Sequence, residues 1–166
     1  MPRRAFESAM YHEAIALDAL DASIAELRSK AKEYVKAMPP RIVIVVDDEQ
    51  AMTTVLDKAL TSYLREVEVI PLHSLAAARA WLAEHGAPRV AIVDMRLPDG
   101  RGWDFAAELP RGVQVILMSG AIDADLLSGL SAATSALACV EKPVDLDTIV
   151  ALVAEALGEP APARAL

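Results

Sequence analysis

The sequence predicts an α/β domain, a doubly wound five-stranded parallel sheet preceded by one long N-terminal helix. Three observations carry that expectation. Between residues 41 and 158, five short β-branched or apolar runs alternate with stretches of helical period, the pattern of a parallel sheet covered on both faces. The first run, Ile42-Val43-Ile44-Val45-Val46, is continuously apolar, as in a strand buried on both sides. Residues 1–38 hold no glycine, have Pro2 as their only proline, and are rich in the helix formers Ala, Leu, Glu and Lys.

Taken in order, a helix is expected from about residue 4 to about 38. Pro39-Pro40 ends it, because proline lacks the N–H and the residue before it avoids helical geometry. After the strand at 42–46, helical period runs from 50 to about 65. A second strand covers 67–70 and is expected to stop at Pro71. There follow a helix at 75–84, a strand at 90–93, a short helix at 103–108, a strand at 113–117, a helix at 123–132, a strand at 137–140 and a helix at 146–157. Trp81 and Trp103 fall on the core-facing sides of their helices, and Trp103, nine residues past Asp94, is a candidate fluorescent reporter of chemistry there. Residues 159–166, Glu-Pro-Ala-Pro-Ala-Arg-Ala-Leu, read as a flexible tail. The expected division is a helix and linker at 1–40, the α/β domain at 41–158 and the tail at 159–166.

Composition removes several classes of function. With 54% hydrophobic residues the 166-residue chain buries a sizeable core, which excludes wholesale disorder. Its 24 acidic against 16 basic side chains, a formal charge of −8, argue against nucleic acid as a partner, since phosphate binding needs clustered Lys and Arg. One cysteine makes neither an internal disulfide nor a multi-cysteine zinc site. No apolar run approaches the roughly 18 residues of a membrane span. Glu7, His12, Glu13, Asp18 and Asp21 break up any secretory stretch, so no membrane partner is expected and the cytoplasm is the expected compartment.

In open parallel sheets ligands bind beyond the carboxyl ends of the strands. After the first strand stand Asp47, Asp48 and Glu49; after the third, Asp94; after the fourth, Ser119 and Gly120; after the fifth, Glu141, Lys142 and Pro143. The second strand offers nothing comparable at Pro71. Crowded carboxylates require a compensating cation, and oxygen-only donors suit Mg²⁺. Taken singly, Asp47 and Asp48 would equally cap the following helix, Asp94 would serve as a turn residue and Lys142 as a solvated lysine. Their joint placement favours one pocket.

Four stretches, in this order and spacing, resemble the receiver domain of two-component response regulators: Val45-Val46-Asp47-Asp48-Glu49, the run from Ile92 through Asp94 and Pro98 to Gly102, Leu117-Met118-Ser119-Gly120, and Val140-Glu141-Lys142-Pro143. The resemblance covers about residues 41–158. It implies the flavodoxin-like receiver fold with strand order 2-1-3-4-5, and a role for each position. Asp94 would accept a phosphoryl group from a histidine kinase or histidine phosphotransfer protein. Asp48 and Asp94 would ligate Mg²⁺, with Asp47 acting largely through water and the backbone carbonyl of Arg96 as a further ligand. Ser119 would hydrogen-bond the phosphoryl group and Lys142 would pair with it, the Lys142–Pro143 bond being cis. Pro98, Gly100 and Gly102 would shape the turn after the phosphoacceptor. One departure stands out: the family usually has Tyr or Phe three residues before the lysine, where this chain has Cys139. A thiol cannot swing as an aromatic ring does, so the switch formed with Ser119 would be read differently. Buried packing, rather than redox sensing, is the expected role of Cys139, because no basic neighbour in sequence lowers its pKa.

The chemistry agrees with the resemblance, since phosphoryl transfer needs an in-line nucleophile, a metal and fixed donors around the equatorial oxygens. The expected protein is thus a signalling response regulator. It catalyses only its own Mg²⁺-dependent phosphorylation and dephosphorylation, and its output passes by contact to a downstream protein target rather than through an attached effector domain. Two rivals are a pseudo-receiver, acting as a binding or dimerisation module, and an aspartyl-phosphate phosphatase of the haloacid dehalogenase type. The second wants another Asp two residues past the nucleophile, where Arg96 stands. A dinucleotide site is disfavoured because Asp-Asp-Glu, not a glycine-rich turn, follows the first strand.

The N-terminal helix fits a heptad with Met10, Leu17, Ile24, Ala31 and Met38 at a, and Phe6, Glu13, Leu20, Leu27 and Tyr34 at d. All but Glu13 are apolar. Flanking positions give no g-to-e ion pairs for a parallel dimer, and their many alanines widen the apolar face. The expectation is a homo-oligomer through this coiled-coil-like helix, with docking on the chain's own receiver or on another protein's helices as the alternative. His12-Glu13 also resembles the phosphorylatable pair of histidine kinase helices, over two residues only.

Overall fold

The computed structural model describes residues 3–37, 41–121, 136–160 and 162. The chain forms two compact units, Met1–Pro39 and Pro40–Leu166. The first is a single helix, α1 (Arg3–Ala37). Its described side chains, from residue 16 to residue 33, are all exposed. The expected Pro-Pro break and the helix expected at 123–132 lie outside the described residues.

The second unit is built in chain order from β1 (Arg41–Val46), α2 (Gln50–Tyr63), β2 (Val67–Leu72), α3 (Leu75–His85), β3 (Val90–Asp94), β4 (Arg96–Leu97), β5 (Gly100–Arg101), α4 (Gly102–Glu108), β6 (Gln114–Ser119), β7 (Ala136–Glu141) and α5 (Leu146–Leu157). Five strands form one sheet in the order β2-β1-β3-β6-β7, every pairing parallel. Counted among sheet strands alone, this is the expected order 2-1-3-4-5. β4 and β5 are a separate antiparallel pair.

Alternation along each strand sorts the core into two layers. Ile44, Val46, Ala91, Val93, Val115 and Leu117 face Leu75 and Ala78 of α3 and Phe105 and Ala106 of α4. Val43, Val45, Ile92, Ile116 and Met118 face Leu56 and Leu60 of α2 and Ile149, Val150 and Val153 of α5. That is why β1 reads as an unbroken apolar run: both of its faces are covered. Trp81 and Trp103 pack, half-buried, against the first layer. Trp81 also stacks on His85, and the Arg101 guanidinium lies over the Trp103 ring.

Two boundaries differ from the sequence expectation. β2 continues through Pro71, which pairs with Val45, to Leu72. A proline is tolerated there because β2 is an edge strand and needs no donor on its free side. Glu159, expected to begin a tail, is anchored. Gly158, at φ 73°, ends α5 in a Schellman motif: its N–H donates to Glu155 O, and the Glu159 N–H to Ala154 O at 2.8 Å. The Glu159 carboxylate then pairs with Arg41, whose guanidinium also donates to Arg65 O and Leu157 O. Residues 161 and 163–166 lie outside the described residues.

Candidate functional site

The register of the sheet gathers the strand-end residues at one edge. Val46 stands beside Val93, Asp94 beside Met118, and Ser119 beside Glu141. The residues that follow the strands keep backbone bonds to the neighbouring strand. Asp47 N–H donates to Leu72 O, Met95 N–H to Met118 O, and Lys142 N–H to Ser119 O at 2.7 Å. The side chains of Asp47, Asp94, Ser119 and Lys142 are thus positioned by the sheet itself.

Lys142 is the centre of the arrangement. Its ammonium donates to Asp94 Oδ2 at 2.6 Å and to Asp47 Oδ2 at 2.8 Å. The other carboxylate oxygens accept backbone donors: Asp47 Oδ1 from Glu49 N–H and Asp94 Oδ1 from Arg96 N–H, both at 2.9 Å. Asp47 is fully buried and Asp94 is 8% exposed, whereas Asp48 is exposed. Burial pulls the lysine pKa down, but the hydrogen bonds to Asp47 and Asp94 outweigh it and hold the pKa above the ordinary 10.5. The Lys142–Pro143 bond is cis, as the resemblance implies.

Neither Asp47 nor Asp48 caps α2. The N-cap is Glu49, and it makes no side-chain cap bond. Oxygens of Asp47, Asp48 and Asp94 lie within 4.8 Å of one another. Three carboxylates against one ammonium leave two formal negative charges, and the donors are all hard oxygens. A divalent ion of the Mg²⁺ type fits both counts.

The remaining predicted residues divide. Ser119 is buried at the same edge, and its hydroxyl donates to Ala121 O at 2.6 Å while accepting from Ala121 N–H. Arg96 opens β4, two residues past Asp94. Cys139 is half-buried on β7, opposite Leu117, and lies with the hydrophobic layer of Phe105 rather than with the carboxylates. Burial first, and the Glu141 carboxylate second, push its thiol pKa up.

Three residues near this edge, His73, Asp99 and Ser74, escaped the sequence reading. His73, directly after β2, has Nδ1 3.1 Å from the carbonyl oxygen of Asp47; extending the strand past Pro71 is the signal that finds it. The Asp99 carboxylate, in the turn between β4 and β5, accepts from Leu75 and Ala76 N–H at the start of α3. Ser74 caps the third N–H of that helix, from Ala77. Gly102 lies against the backbone of Asp94 and Met95 with no room for a Cβ. The tight turn expected after Asp94 is therefore a small hairpin, and Asp99 ties it to α3.

Comparison with known proteins agrees with this geometry. A family model described as the response regulator receiver domain matches residues 43–154. Among curated proteins, the DNA-binding transcriptional regulator NtrC of Azospirillum brasilense is 29% identical over 133 residues, which covers 78% of this chain and 27% of that protein. Its namesake from Bradyrhizobium sp. (strain RP501 Parasponia) is 29% identical over 126 residues, covering 74% and 25%. This chain thus spans about a quarter of the length of those relatives. Among solved structures, a CheY-like response regulator receiver domain protein from Methanospirillum hungatei JF-1 superposes with TM-score 0.63 at 23% identity, over 72% of this chain and 95% of that one. A response regulator receiver protein from Pseudomonas putida gives 0.63 at 23%, over 72% and 99%. Both likenesses are likenesses of fold.

Proposed function

This chain belongs to the response regulator receiver domain family, and from that premise we propose that it is a response regulator of two-component signalling phosphorylated on Asp94 by a histidine kinase or histidine phosphotransfer protein. One observation carries the reading: a single ammonium, Lys142, bridges Asp94 and the fully buried Asp47. A structural salt bridge needs one carboxylate. Two carboxylates on one lysine, with Asp48 beside them, form a site where three carboxylates gather about the one ammonium that bonds two of them.

In this reading a carboxylate oxygen of Asp94 attacks the phosphorus of the donor. The new O–P bond forms as the donor's N–P or O–P bond breaks, and that electron pair leaves with the donor's nitrogen or oxygen. Asp47, Asp48, Asp94 and the Arg96 carbonyl would hold Mg²⁺, which supplies charge neutralisation at the phosphoryl oxygens. Lys142 follows the charge: its bond to Asp94 passes to a phosphoryl oxygen once the carboxylate is esterified. Ser119 has to turn its hydroxyl hydrogen away from Ala121 O to donate to the phosphoryl group, which would link phosphorylation to the backbone after β6. Water later attacks the phosphorus of the acyl phosphate, the Asp94 O–P bond breaks, and inorganic phosphate leaves as the carboxylate is restored. The domain then acts only on its own phosphoryl group. Its output passes by contact to a downstream protein target, in the cytoplasm alongside its kinase. No described helix is long and apolar enough to cross a membrane. The second element of the reading is self-association through α1, whose apolar stripe is exposed.

Intact mass after incubation with Mg²⁺ and acetyl phosphate tests the first element. Gain of one phosphoryl group by the wild type, and none by Asp94→Asn, supports it. No gain, under conditions that modify a known receiver, replaces it with a binding module of receiver fold.

A further inference from the structure

We propose that α1 pairs with α1 of a second copy of this chain, and that the two helices run antiparallel. The inference rests on the self-association just proposed and adds its geometry. The apolar stripe is explicit: Leu17, Leu20, Ile24 and Leu27 are 59%, 55%, 36% and 65% exposed. Their spacing of three and four puts them on one face. Such a face wants a cover.

Charge along the helix selects the orientation of that cover. Residues 5–26 carry Glu7, Glu13, Asp18, Asp21 and Glu26, with no Lys or Arg. Residues 27–37 carry Arg28, Lys30, Lys32 and Lys36 against the single acid Glu33. A favourable helix dipole does not account for this split. The dipole acts within the first and last turns, whereas Asp18, Asp21 and Glu26 lie in the middle. A parallel pair sets the acidic stretch beside its own copy. An antiparallel pair sets Asp18 and Asp21 beside the basic stretch.

The heptad gives a register that satisfies both patterns. In antiparallel pairs a positions stack on d positions, and e flanks meet e flanks. Ile24 at a then stacks on Leu27 of the second copy at d. This brings Asp21 beside Arg28 of the second copy, both at e, once on each side of the two-fold axis. The same register stacks Leu20 on Ala31. Asp21 and Arg28 are both exposed, and the ion pair within the helix, Lys30 with Glu26, engages neither. Arg3, Arg4, Glu7 and Glu13 all fall beyond the partner's Ala37, outside the paired stretch.

The test uses the full chain with Cys139→Ser, so that spin labels go only to introduced cysteines. Labels at Ala25→Cys lie near the two-fold axis and are expected about 20 Å apart, given packed helix axes 8–10 Å apart and the reach of the labels. Labels at Ser8→Cys are expected about 50 Å apart, from a rise of 1.5 Å per residue. Short distances at both sites in a dimer overturn the antiparallel arrangement and leave self-association standing. A monomer in sedimentation at tens of micromolar overturns both. A dimer that survives Ile24→Glu with Leu27→Glu places the contact elsewhere and also overturns the proposal. Added salt distinguishes the orientations a second way: screening weakens the antiparallel pair severalfold and strengthens a parallel one.

Discussion

Gly102 sits so close to Asp94 that a Cβ on it would overlap the carbonyl carbon and oxygen of Asp94. The clash is with backbone at the end of the central strand, which cannot step aside as a flexible side chain does. Gly102→Ala is therefore expected to cost about 1–3 kcal/mol and to slow phosphorylation of Asp94 by tilting its carboxylate. Gly120→Ala, where a Cβ meets nothing within 4 Å, is expected to stay within about 0.5 kcal/mol. Denaturant midpoints and acetyl phosphate labelling of the two variants check both statements.

Removing the ammonium leaves Asp47 in the interior with no cation. Lys142→Met is expected to destabilise the Mg²⁺-free protein by roughly 2–4 kcal/mol, at the lower end because the lysine side chain keeps 21% of its exposure. Mg²⁺ should recover part of the loss by mass action. Adding Asp47→Asn should recover more than the two single changes predict. The raised pKa of Lys142 fixes the sign with pH. Its stabilisation is complete below the ordinary lysine value of 10.5 and is lost as pH rises through the higher folded value. Equal stability of wild type and Lys142→Met at pH 7 would contradict the role of the bridge.

Asp99 titrates in the opposite sense. Its hydrogen bonds from Ala76 N–H, then Leu75 N–H, hold its pKa below the ordinary 3.8. Its contribution is present above that value and disappears as pH falls through the lower folded one. Asp99→Asn should thus be less stable than wild type at neutral pH, with the gap closing in acid. A gap that is constant from pH 7 to pH 2 would refute the capping role.

Arg41 bonds to Arg65 O, Leu157 O and the Glu159 carboxylate. Arg41→Met is expected to cost about 1–3 kcal/mol, as charged hydrogen bonds at a half-buried site do. The exposed pair Lys30–Glu26 should be worth about 0.5 kcal/mol or less. Parallel denaturation of Arg41→Met and Lys30→Met gives the comparison.

The Cys139 thiol is half-buried and its pKa is raised. Folded protein at pH 7–8 should react with a thiol reagent many times more slowly than the unfolded chain, because little thiolate is present. Rapid labelling of the folded form would instead mark a reactive cysteine.

The sheet and its site were legible because their signals are local. Five apolar runs gave the strands, and the residues just past four of them gave Asp47, Asp94, Ser119 and Lys142. What escaped depends on distant partners or on position in the sheet. Pro71 reads as a stop unless β2 is known to be an edge strand, and with it His73 is lost. Asp99 lies 24 residues from Leu75, so its capping role has no trace in either neighbourhood. Arg41 and Glu159 are 118 residues apart, and a Pro- and Ala-rich terminus looks loose until its partner is seen. The two-residue strands β4 and β5 are too short for any period to show.

Asp47 and Lys142 are separated by 95 residues, and the ribosome makes them in that order. Until β7 is synthesised, an emerging chain that already pairs β1 with β3 has no ammonium for its innermost carboxylate. Burying a carboxylate without its bonded cation is costly, and that cost opposes closing the sheet. The bridge therefore forms only once Lys142, the residue just past β7, has been added to the chain.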